Sequence, residues 1–87
     1  MQIKRDFVLR CITGEKILVP VGKTAIDING LVVLNEVGAF IWERIPQAAD
    51  EQAIVDMILE EYDVSREEAA ADAAAFLDKL RKLDILA

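Results

Sequence analysis

Histidine is absent from the 87 residues, and Cys11 is the only cysteine. Without an imidazole, the triads and dyads that need a histidine base are excluded. A single thiol forbids an intramolecular disulfide, and one chain cannot assemble the usual Cys/His zinc sets. No apolar run approaches the roughly 18 residues of a membrane span. The stretch Phe7 to Ile12 is interrupted by Arg10, so the start does not read as a signal peptide, and a cytoplasmic location is expected. The four glycines are scattered over turns and one helical position, with no phosphate-cradling loop among them. Basic residues are also scarce: ten Lys plus Arg against sixteen Asp plus Glu leave a net charge of −6. Binding to a phosphate backbone rests on Lys and Arg, so this balance weighs against nucleic acid as a partner.

What remains is a short, apolar and well-mixed chain. Apolar residues make up 54% and charged residues 30%, the composition of a folded soluble domain. The length supports one domain over residues 1–87. Such a chain buries somewhat over half of its unfolded surface, which leaves little volume for an enclosed substrate pocket. No catalytic activity, metal or cofactor is expected of it.

The first third reads as strands. Phe7 to Ile12 is rich in β-branched and large apolar residues, Thr13-Gly14-Glu15 is a turn, and a second strand over 16–21 completes a hairpin. Pro20 has no donor and belongs near a strand end. Gly22-Lys23 and Asn29-Gly30 read as further turns, and a third strand covers 31–34. The period then becomes helical. Asn35 is an N-cap for a helix over 36–45, ended by Pro46, with Gly38 inside it where a close contact is expected. A second helix over 51–62 starts at the Asp50 cap and carries the apolar stripe Ile54, Val55, Ile58, Leu59, Tyr62. Ser65 and Glu68 form a capping box for a third helix over 66–82, acidic at its start and basic at its end. Leu83, Ile85 and Leu86 form an apolar tail that docks back on the core. The expected class is α+β: a three-stranded antiparallel sheet followed by three helices, the parts of a winged helix-turn-helix.

Several chemical features have plain structural readings. Asp56, Glu60, Glu61 and Asp63 lack the spacing of a calcium loop and read as a solvated face. Lys79, Arg81 and Lys82 close a helix beside Asp78 and Asp84 and serve its dipole. Phe40 and Trp42 read as core, and Cys11 as a small packed hydrophobe. The six alanines between Ala69 and Ala75 are less easily assigned. They keep the helix stable but fill little space. Either they let helix and sheet pack closely, or they leave a groove beside an edge strand in which an added peptide strand can lie.

The run Leu31-Val32-Val33-Leu34-Asn35-Glu36-Val37-Gly38-Ala39-Phe40-Ile41-Trp42 resembles the "LNxTGAxIW"-like segment of the PqqD family. The tail from Ala74 to Leu86 is similar to that family's last helix and closing "G-L-L" segment. Val37 stands where the family often has Thr, and Asp84 where it often has Gly. The resemblance runs in order from the first hairpin to the end. It implies a recognition element for ribosomally made, modified peptides. Such an element is a non-catalytic chaperone that holds the leader segment of a precursor and presents it to a modifying enzyme, typically a radical S-adenosylmethionine enzyme. The leader would pair with the backbone of Leu31, Val32, Val33 and Leu34 and place apolar side chains near Ala70, Ala73, Ala74 and Leu77. Two other readings stand beside this one. The first is a winged-helix DNA-binding regulator, disfavoured by a third helix with four acidic and four basic residues. The second is a structural subunit or homodimer, since an edge strand can pair with its own copy.

Overall fold

In the computed structural model, which describes residues 1–27 and 30–87, β1 (Phe7–Ile12) and β2 (Glu15–Pro20) form an antiparallel hairpin. A short helix, α1 (Lys23–Asp27), leads to β3 (Val32–Leu34). Then come α2 (Glu36–Arg44), a 3₁₀ turn (Ile45–Gln47), α3 (Glu51–Glu61) and α4 (Arg66–Lys82). The class is α+β, with the strands in the order β1-β2-β3, all antiparallel. Ile12 pairs with Glu15 across the two-residue turn Thr13-Gly14, where both φ angles are positive (52° and 81°). That geometry matches the twist of the flanking strands.

Local capping decides where each long helix begins. The Asn35 side chain accepts from the Gly38 N–H at 2.7 Å, Asp50 from Ala53 at 2.9 Å, and Ser65 from Glu68 at 3.1 Å. Pro46 turns the end of α2 into the 3₁₀ turn. At the other end of α4, Ile85 N–H donates to the Leu80 carbonyl (2.8 Å) and Asp84 N–H to that of Arg81 (3.0 Å). With Asp84 at φ 59°, this is a Schellman closure. It turns Ile85 and Leu86 back into the core, where Leu86 bridges to Ile3.

The core lies between the inner face of the sheet and the three longer helices. Leu18, Ile41, Ile45, Ile54, Ile58, Leu77, Leu80 and Ile85 are its fully buried large side chains. Trp42 is buried and meets Phe7 edge-on at 6.5 Å. Phe40 turns the other way, edge-on to Tyr62 at 5.4 Å and beneath the Arg44 guanidinium.

Two local expectations need correction. Gly22-Lys23 does not simply turn the chain; it opens α1, whose buried Thr24 accepts a hydrogen bond from Asp6 N–H at 2.9 Å. Cys11 is exposed, because it sits opposite Lys16 near the hairpin tip, beyond the reach of the helices. Of the Asn29-Gly30 turn, Asn29 lies outside the described residues, while Gly30 takes φ 152°.

Candidate functional site

β3 lies at one edge of the sheet, and the hairpin turn dictates which of its groups are free. A two-residue loop makes Ile12 and Glu15 a hydrogen-bonded pair, and such pairs alternate along an antiparallel ladder. Arg10 and Ile17 therefore also exchange bonds, and Ile17 points its peptide groups at β1. Its neighbours Lys16 and Leu18 point theirs at β3, where they meet Leu34 and Val32. Val33, opposite Ile17, is left with N–H and carbonyl aimed out of the sheet. Its side chain is exposed as well.

A groove of about 420 Å³ opens at this edge. One wall is Val33, Leu34 and Asn35, the floor is Val37, Gly38 and Ile41 of α2, and the far wall is Asp72, Ala75, Phe76 and Lys79 of α4. Gly38 has a packing reason to be glycine: a methyl group there would stand 3.2 Å from the Phe76 ring and 3.0 Å from Asn35 Oδ1. Its absence lets Phe76 lie down on α2 and keeps the groove open. A second, shallower hollow continues along α4 past Ala75 and Lys79 to Lys82 and Leu83. The arrangement can receive an extended segment, offering it a backbone donor and acceptor on one side and, on the other, a helix face in which Ala75 and Phe76 stand between the charged Asp72 and Lys79.

The residues expected at such a site divide. Val33 and Leu34 line the groove, Val32 is half-buried within β3, and Leu31 is exposed just before it. On α4 the phase is different. Ala73 and Leu77 are fully buried, in one stripe with Ala69 and Leu80. Ala70 is half-buried against the core, and Ala74 is exposed without lining the groove. Only Ala75 of the alanine run lines it. The physical reason is helical phase: positions 69, 73, 77 and 80 face the core, so 72, 75, 76 and 79, one residue behind, face the β3 edge. The same i, i+3, i+4, i+7 spacing is present in the sequence, but Asp72 and Lys79 at its ends hide it from a search for apolar stripes.

The ionisable groups with shifted pKa lie outside the groove. Partial burial pushes the Tyr62 hydroxyl up, with Glu36 and Glu61 adding to the effect and Arg44 opposing it. Hydrogen bonds from Lys4, then Arg5, hold the Asp84 carboxyl below its ordinary value. Among the described residues no group of three or more His, Cys, Asp or Glu is placed to hold a metal ion, and Asp56 instead pairs with Arg66 at 3.1 Å. No helix among them is long and apolar enough to cross a membrane.

Comparisons with known proteins agree on one group. Residues 15–86 match the family model described as coenzyme PQQ synthesis protein D (PqqD). Among solved structures, TbiB1 in complex with the TbiA(beta) leader peptide is similar at a TM-score of 0.73 and 28% identity, over 99% of this chain and 94% of that one. A lasso peptide synthetase B1 complexed with its leader peptide shares the fold at a TM-score of 0.73 and 17% identity, over 99% and 95%. No curated protein matches the chain.

Proposed function

The chain belongs to the PqqD family, and on that footing we propose that it binds the leader segment of a ribosomally made precursor peptide and presents it to a modifying enzyme. The leader lies in the groove as an added strand on β3. Leu31 to Leu34 form its backbone partner, and Val33 supplies the outward donor and acceptor. On α4 the contacts come from Asp72, Ala75, Phe76 and Lys79 in place of Ala70, Ala73, Ala74 and Leu77. The observation that carries this reading is the pairing of a free strand edge with a groove walled by a helix. The TbiB1 structure, whose partner is a leader peptide, supports it.

The domain is the whole of residues 1–87, acting in the cytoplasm without a cofactor or chemistry of its own. Catalysis belongs to the partner, which we assign to the radical S-adenosylmethionine class. Calorimetric titration with a precursor leader peptide, followed by amide-exchange mapping, tests the reading. One-to-one binding with protection on β3 and α4 is expected; tight binding with protection elsewhere overturns it. The rival reading, a DNA-binding regulator, makes the opposite prediction for nucleic acid. With a net charge of −6, and with Arg66, Arg81 and Lys82 of α4 each beside a carboxylate, an anisotropy titration with duplex DNA at physiological salt should stay flat.

A further inference from the structure

The charges on α4 are not distributed evenly between partnered and free. Arg66 pairs with Asp56 (3.1 Å), Lys82 with Asp78 (3.1 Å), and Arg81 approaches Glu51 (3.9 Å). Lys79 is the one cation of this helix with no carboxylate partner among the described residues, and it stands where the groove runs into the second hollow. Asp72, also without an ion partner among them, stands at the opposite end of the same wall. Two helical turns separate them, about 10.5 Å along the axis. Ala75 and Phe76 occupy the apolar interval between them.

We propose that Lys79 reads an acidic side chain on the leader strand, while Asp72 refuses an acid at the other end, so that the pair fixes the direction in which the strand lies. This rests on the leader-binding reading above and specifies its ligand. Side chains of an extended peptide return to one face at every second residue, so the acid and the neutral or basic position lie about four residues apart, a span of about 13 Å, with an apolar residue midway between them over Ala75 and Phe76. The chain as a whole carries −6 and repels acidic peptides at long range. A local cation on the groove wall is therefore what makes an acidic position favourable in this one place.

A displayed library of random linear peptides, selected in parallel on the wild type, Lys79→Glu and Asp72→Lys, tests the proposal. Both positions are exposed, so the variants keep the fold. The wild type should enrich Asp or Glu at a fixed distance from an apolar residue. Lys79→Glu should replace that acid with Lys or Arg, and Asp72→Lys should admit a second acid. For one synthesised winner, Lys79→Met should weaken binding by about fivefold, with exchange of the two charges between protein and peptide restoring it. Winners that protect Val33 from amide exchange yet show no acidic preference would overturn the role of Lys79 and leave the groove standing. Winners that ignore β3, or no enrichment at all, would overturn the leader-binding reading with it.

Discussion

Thr13 occupies the left-handed region at φ 52°, which a β-branched residue adopts only under strain. Its place as the first of two positive-φ residues in a two-residue hairpin is the place that asparagine fills most comfortably before glycine. Thr13→Asn should therefore stabilise the fold by about 0.5–1 kcal/mol, part of the strain such a residue stores. A urea midpoint that does not rise would show that the turn is not strained. Asp84 has the same left-handed conformation at φ 59°, and its carboxylate ties down two basic side chains, Lys4 and Arg5. Its folded pKa is depressed, first by the Lys4 hydrogen bond. The stability this linkage contributes is present above the unfolded pKa and is lost as pH falls through the folded one. In an NMR titration the Asp84 midpoint should lie below the ordinary carboxylate value, and Lys4→Met should move it upward. A wild-type midpoint at the ordinary value would remove Asp84 from the acid limb.

At the scale of the element, α4 shows what sequence carries and what it does not. Its start was legible because Ser65 and Glu68 are three residues apart, and a serine hydroxyl there has an orphan amide to satisfy. The strand pair was legible because apolar, β-branched runs flank a Thr-Gly turn. The facing of the alanines was not legible, since a run of identical small residues carries no periodicity from which to read phase. The buried set emerges only when the helix is packed: Ala69 and Ala73 bring its backbone close to the core, while Ala75 looks into the groove. The α1 turn was hidden for a related reason, because five residues are too few to show a helical period. The two faces of α4 predict different outcomes for one substitution. Ala73→Phe forces a ring into a site with no exposure and should cost about 1–3 kcal/mol or more of stability. Ala75→Phe adds the same ring to an exposed position, so thermal unfolding should barely change while peptide affinity falls about tenfold or more. Equal stability losses in both would mean that the phase of α4 is misplaced.

Seen as a whole, the molecule offers a visiting strand two sheet edges, and among the described residues it is β3 that has a groove wall beside it. The alternation that leaves Val33 facing outward from β3 also leaves Cys11 facing outward from β1, since its pair with Lys16 is a non-bonded one. Proline at either position removes an N–H that bonds nothing within the sheet, a substitution edge strands tolerate. Val33→Pro and Cys11→Pro should thus both remain folded, and they differ in what each edge does next. At β3 a leader needs the Val33 donor, so Val33→Pro should weaken binding by roughly 0.5–1.5 kcal/mol for the lost bond, and by more if the ring blocks the approach. At the Cys11 end of β1 the described residues form no such groove, and Cys11→Pro should bind peptide as the wild type does. If instead a second copy of the chain covers the β3 edge, sedimentation will show a dimer that Val33→Pro dissociates and added peptide disperses. Equal peptide affinity in all three proteins would rule out strand addition at β3, because the outward donor of that edge would then be doing nothing.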